Sequence, residues 1–134
     1  VLGREAGMSP EWLAAGAGLA AVFGHTRSIF IRFRGGRGVA TAAGGLLVLA
    51  PAAIPVLGAA FALIVWRWRI VSLGSIVVAI LAAPVTAVLV SLDLASAAAV
   101  GYAAGIGLLV VVAHADNIAR LRAGTERRLG APRS

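Results

Sequence analysis

Residues 70–113 read IVSLGSIVVAILAAPVTAVLVSLDLASAAAVGYAAGIGLLVVVA, and this stretch decides the fold. It holds two apolar blocks, Ile70 to Val90 and Leu94 to Ala113, joined by Ser91-Leu92-Asp93. Each block has about 20 residues, and a helix of that length, rising about 1.5 Å per residue, crosses the roughly 30 Å hydrocarbon core of a bilayer. The short polar link leaves room for a turn and little else, so the pair reads as an antiparallel helical hairpin.

The composition of the whole chain agrees. Of 134 residues, 60% are hydrophobic, 13% are charged and 6% are aromatic, and the mean hydropathy is +0.98. A soluble domain carries about 25% charged residues. Too few are present here to give a globule a polar skin, which excludes a soluble enzyme and a disordered tail. Two more apolar blocks precede the hairpin, Trp12 to Phe23 and Val39 to Val65. The second is too long for one straight span and has Pro51 and Pro55 at its middle. Proline removes a backbone donor and clashes with the preceding turn. The block therefore divides into Val39–Leu49 and Ala52–Val65, one kinked helix being the alternative. Each half is shorter than a usual span, so the two tilt, thin the bilayer or pack as a pair among other helices.

Twelve basic residues, all arginine, oppose five acidic ones, for a net charge of +7 and a pI near 11.9. Such a balance would suit nucleic acid. The arginines, however, lie between apolar runs, where a membrane protein keeps its cytoplasmic charge, so no nucleic-acid partner is expected. Arg27, Arg32, Arg34 and Arg37 precede the second block, Arg67 and Arg69 follow it, and Arg120, Arg122, Arg127, Arg128 and Arg133 form the tail. Placing all three clusters in the cytoplasm requires an even number of crossings between them. The two halves of the second block satisfy the first interval and the hairpin satisfies the second. The first block then enters from outside. The expectation is an all-α polytopic membrane bundle of about five membrane helices, with the carboxyl end inside.

Val1 to Pro10 lacks the basic start, apolar run and cleavage site of a signal peptide. An odd count with an outside amino end points to an even number of helices before Val1, so residues 1–134 read as a single integral membrane domain without its amino-terminal part. With no cysteine, disulfides and cysteine nucleophiles are excluded. Two histidines, His25 and His114, give a zinc site little support. Seventeen glycines and many alanines allow helices to pack closely in lipid, with Ala98, Gly101 and Gly105 on the fourth block. Trp66 and Trp68 flank Arg67 as interfacial anchors.

Two polar stretches carry the candidate chemistry. The first runs from Gly24-His25 through Arg34-Gly35-Gly36-Arg37-Gly38-Val39-Ala40-Thr41. Glycines let backbone N–H groups approach a ligand, a helix amino end adds partial positive charge, and a guanidinium adds bidentate donors. All of these favour an oxyanion such as phosphate. A basic juxtamembrane loop touching lipid head groups has the same composition, and composition does not separate the two. The Walker pattern is absent, which disfavours nucleotide hydrolysis. The second stretch is His114-Ala115-Asp116-Asn117-Ile118-Ala119-Arg120-Leu121-Arg122-Ala123-Gly124-Thr125-Glu126-Arg127-Arg128. In a continuing helix Asn117 lies three residues beyond His114 on the same face, so an imidazole and an amide point together. The alternatives are a solvated histidine at a membrane edge and a capping asparagine. Asp116 and Arg120 have the spacing of a weak pair, and Glu126 that of a charge partner for nearby arginines.

These stretches resemble the PlsY family, bacterial membrane glycerol-3-phosphate acyltransferases that use acyl phosphate. The resemblance rests on Gly24-His25, on Phe33 to Thr41, on Val71-Ser72-Leu73-Gly74-Ser75, and on His114, Asn117-Ile118, Arg120-Leu121 and Gly124-Thr125-Glu126. Arg34 and Arg37 stand where the family has lysines, Arg27-Ser28 where it has Phe-Pro, and Ala115 where it has a basic or polar residue. The family's first motif, a Ser-Gly-Asn-Pro-Gly-like loop, would precede Val1. The resemblance implies a seven-helix bundle in a bacterial cell membrane, its motifs facing the cytoplasm, with no metal and no cofactor. It implies acyl transfer from acyl phosphate to glycerol 3-phosphate, giving lysophosphatidic acid in phospholipid synthesis. Arg37, the Gly35–Gly38 backbone, Thr41, His25, Ser72 and Ser75 would then bind substrate, and His114 and Asn117, the catalytic residues, would orient the glycerol phosphate, with either His114 or the substrate phosphate taking the proton. The acyl tail would lie between helices among membrane lipids. A non-catalytic membrane protein derived from the family is the alternative. Acyl-chain preference and oligomeric state are not readable.

Overall fold

The structure, a computed structural model, describes residues 9–28 and 37–131. Six helices follow in order: α1 Pro10–Ser28, α2 Val39–Leu49, α3 Ala53–Trp68, α4 Val71–Ser91, α5 Ala97–Ala113 and α6 Ala115–Arg122. The expected division at the prolines is present. The α2 helix closes at Ala50, whose N–H donates to the Leu46 carbonyl at 2.7 Å, and Pro51 cannot continue the ladder. Pro55 falls in the first turn of α3, where its missing N–H has no intrahelical role. The hairpin of α4 and α5 is also as expected, with the Leu94 N–H donating to Leu89 across the turn at 2.9 Å and Asp93 left-handed at φ 56°.

Among the described helices, α4 is long and apolar enough to cross a membrane by itself. The α5 and α6 helices meet that test only together, and they are bent by 61° at His114. The α2 and α3 helices are shorter apolar segments. A straight continuation of α5 through Asn117 is therefore corrected: the chain turns at His114 and α6 sets off in a new direction.

The core is built around α5. Tyr102 is fully buried, and its hydroxyl donates to the Ala42 carbonyl of α2 at 3.1 Å. Gly45 on α2 lies so close to that ring that an added Cβ would overlap it. Gly101 and Gly105 admit Trp12 and Leu19 of α1, which is the close approach expected of small residues on this helix. The α4 helix packs along α5, and α3 packs along α4. Trp66 and Trp68 are exposed at the end of α3, with the Arg67 guanidinium 5.4 Å from the Trp68 ring centroid. This arrangement brings the start of α2, the start of α4 and the α5–α6 bend to the same end of the bundle.

Candidate functional site

Half-buried Arg37 precedes α2, and its Nη1 donates to the Ala113 carbonyl at 3.3 Å. One guanidinium thus joins the start of α2 to the end of α5. Beside it opens a cavity of about 540 Å³, walled by Arg37, Ser72, Ser75, His114, Asn117 and Glu126, with Arg127 to Gly130 completing the rim.

The expected second polar stretch converges here by a route the sequence did not show. His114 and Asn117 are 3% and 7% exposed and both line the cavity. His114 Nδ1 lies 2.7 Å from the Val110 carbonyl. A carbonyl only accepts, so Nδ1 carries the proton and Nε2 keeps its lone pair. Burial pushes the imidazole pKa below the usual histidine range; the Val110 carbonyl pulls it up, Arg37 pushes it down and Glu126 pulls it up, for a net lowering. Neutral His114 is therefore the form present near pH 7.

Asn117 has a similarly fixed orientation. Its Nδ2 donates to Glu126 Oε1 at 2.5 Å, so the amide nitrogen is committed. Its Oδ1 is buried without a hydrogen-bond partner among the described residues. An acceptor left so costs about 1–3 kcal/mol.

Glu126 is the hub that the sequence reading reduced to a charge partner. Ser72 Oγ donates to Oε1 at 2.6 Å, Asn117 donates to the same oxygen, and Arg120 Nε donates to Oε2 at 2.7 Å. Burial raises the carboxyl pKa, but the bonds from Ser72, Asn117 and Arg120 and the Arg120 charge outweigh it, so the group is held below the usual carboxylate range. The expected pair of Asp116 with Arg120 is corrected: Arg120 pairs with Glu126.

A signal for this hub exists in the sequence. Gly124 is left-handed at φ 70°, its N–H donates to Leu121 at 3.1 Å, and the Thr125 N–H donates to Arg120 at 2.9 Å. This Schellman arrangement ends α6 at a glycine and turns the chain back, which carries Glu126 to Ser72.

The remaining expected residues divide. Ser72 and Ser75 line the cavity, Ser75 Oγ also donating to Val71 at 3.1 Å. Gly38 is buried at φ 77° against Val22 and Thr26 of α1, and it is not among the lining residues. Thr41 is half-buried on α2 and His25 is exposed on α1, and neither lines the cavity. Gly35 and Gly36 lie outside the described residues. A second, apolar cavity of about 250 Å³ runs between α2, α3, α4 and α5, lined by residues such as Leu46, Leu57, Phe61 and Ile106. It shares Val39 and Ser75 with the polar one.

An oily helical bundle with an arginine-rimmed polar pocket at one end and an apolar cavity beside it is the layout of an integral membrane protein. The family model for glycerol-3-phosphate acyltransferase matches residues 1–124. Curated relatives include glycerol-3-phosphate acyltransferase of Syntrophotalea carbinolica, 45% identical over 112 residues, which cover 84% of this chain and 55% of the relative. Glycerol-3-phosphate acyltransferase 1 of Deinococcus radiodurans is 45% identical over 134 residues, covering 97% and 63%. Among solved structures, the glycerol 3-phosphate form of PlsY (YgiH), an integral membrane glycerol 3-phosphate acyltransferase, superposes with a TM-score of 0.75 at 34% identity over 89% of this chain and 57% of that one. Its lysophosphatidic acid form gives the same score and identity over 59% of that chain. The chain belongs to the glycerol-3-phosphate acyltransferase family. It spans about three fifths of the length of the curated relatives it matches.

Proposed function

We propose that this protein transfers an acyl group from an acyl phosphate to the hydroxyl of glycerol 3-phosphate, releasing lysophosphatidic acid and phosphate. The observation that carries this reading is Asn117, whose Oδ1 is a buried acceptor without a donor among the described residues, in a cavity it shares with neutral His114 and Arg37. A glycerol hydroxyl supplies the missing donor. A phosphate supplies the charge that Arg37 is suited to hold.

In this arrangement Asn117 Oδ1 and His114 Nε2 accept from the acceptor's hydroxyls and orient the reacting oxygen. That oxygen attacks the acyl carbon, and the bond from carbon to phosphate oxygen breaks. Charge moves onto the departing phosphate, where Arg37 stabilises it. The hydroxyl proton ends on the departing phosphate, which leaves as hydrogen phosphate, so the step balances without a separate base. Holding both reactants in place contributes much of the acceleration. The apolar cavity that meets the pocket at Val39 and Ser75 takes the start of the acyl chain. The expected place is the bacterial cell membrane, with the pocket opening to the cytoplasm. The relatives' solved forms with glycerol 3-phosphate and lysophosphatidic acid support the substrate and product classes.

The test is an assay of the full reading frame, purified in lipid discs, with acyl phosphate and radiolabelled glycerol 3-phosphate. Lysophosphatidic acid formed only when both are present is the expected result. No product under those conditions would count against transfer.

A further inference from the structure

After Gly124 the chain recrosses the mouth of the polar cavity and is pinned there twice. Glu126 holds it to Ser72, Asn117 and Arg120. Leu129 holds it through its N–H, which donates to the Arg69 carbonyl at 2.6 Å, and Gly130 follows at φ 81° against the Arg69 guanidinium. Between the two pins lie only Arg127 and Arg128. Both side chains are exposed, both residues line the cavity, and neither makes an ion pair among the described residues.

The charge balance gives these arginines a task. A phosphate monoester carries about −1.5 to −2 near pH 7, so two such substrates bring roughly −3 to −4. Of the cavity's described charges, Arg37 offers one positive charge. Glu126 is already paired with Arg120, and His114 is held neutral. Among the described residues that line the cavity, the further positive charge is on the strap.

We propose that Arg127 and Arg128, held over the pocket by the Glu126 and Leu129 pins, form a second anion-binding element that captures a phosphomonoester substrate before it reaches Arg37. The assignment of those substrates rests on the acyl-transfer reading above. Exposed guanidiniums act through screened, long-range attraction, so they assist capture and leave the chemical step alone.

The experiment compares the full-length protein with its R127Q/R128Q and R127K/R128K variants in neutral phosphatidylcholine discs. Expected in R127Q/R128Q is a rise of about three- to tenfold in KM for glycerol 3-phosphate or for acyl phosphate. With it go a kcat within about twofold of the parent, a difference that shrinks in high salt, and recovery in R127K/R128K. Unchanged KM for both substrates overturns the proposal. So does a rise seen only in discs of anionic lipid, which would assign the pair to head groups. Equilibrium binding of glycerol 3-phosphate, and of inorganic phosphate, is measured alongside because it needs no turnover. Equal Kd values in parent and R127Q/R128Q overturn the strap's role even if the parent shows no transfer, whereas an inactive parent whose variant binds phosphate more weakly sinks only the acyl-transfer reading.

Discussion

Single side chains set the chemistry through the hydrogen bonds they have already committed. Val110 takes one nitrogen of His114 and Glu126 takes one end of Asn117, so each has one accepting atom left for a ligand. Arg37 is the cation joined to both helix ends, and Arg37→Ala should lower kcat/KM for glycerol 3-phosphate by roughly a hundredfold, as loss of one charge-stabilising donor does; unchanged turnover would remove it from phosphate binding. Glu126 has a pH signature. Its folded pKa is depressed, so the stability it contributes is full above its unfolded value of 4.5 and is lost as pH falls through the folded one. Glu126→Gln should cost about 1–3 kcal/mol near neutral pH, and the gap to the parent should close below about pH 4.5. Thermal unfolding across that range measures it, and a gap that does not depend on pH would mean the carboxylate is not the pin. His114, Asn117 and Arg37 were legible because each is a polar residue at the end of an apolar run. Of the Glu126 hub only the chain reversal at Gly124 was legible; its partner was not, because the bond to Ser72 spans a sequence separation of 54.

At the scale of elements, the sequence was most readable at its breaks, although Pro84 lies inside the continuous α4 helix. Pro51 marks the α2–α3 break, and the short polar link around Asp93 marks the hairpin turn. The break at His114 has neither proline nor glycine to announce it. It comes from tertiary contacts: the α5 carboxyl end is drawn to Arg37 and α6 is drawn to Glu126. Close packing was readable in kind, from the small residues, but not in its partners. The tightest case is Gly45 against Tyr102, where a methyl group has no space. Gly45→Ala should force α2 away from α5 and cost about 1–3 kcal/mol. A lowered melting temperature in detergent is the expected result, and an unchanged one would show that α2 and α5 can separate at no cost. Since Tyr102 holds the Ala42 carbonyl, the same shift should move Arg37 and weaken glycerol 3-phosphate binding.

Across the whole molecule, the bundle is polarised from end to end. The polar cavity gathers the starts of α2 and α4 and the end of α5, whereas Asp93 sits at the opposite turn of the α4–α5 hairpin. The 21 residues of α4 span about 31 Å, close to the thickness of a hydrocarbon core. A hairpin of that length places its turn on one side of the membrane and its open ends on the other. The arginine clusters at Arg67 and Arg69 and at Arg120 to Arg128 are at the open end, and basic residues stay in the cytoplasm. With that orientation, the acyl transfer proposed above would draw glycerol 3-phosphate from the cytoplasm and its acyl donor from the inner leaflet. Residues 1–134 hold no cysteine, so they add no background to single replacements. Asp93→Cys should react with an impermeant maleimide on intact spheroplasts, and Arg122→Cys only after the membrane is opened. Both residues are exposed, so access to the reagent is limited by the bilayer and not by packing. Labelling of both from the same side would break the hairpin's crossing. Reversed labelling would keep the fold but turn the pocket away from the compartment where a soluble sugar-alcohol phosphate is made, and transfer to that acceptor would no longer follow.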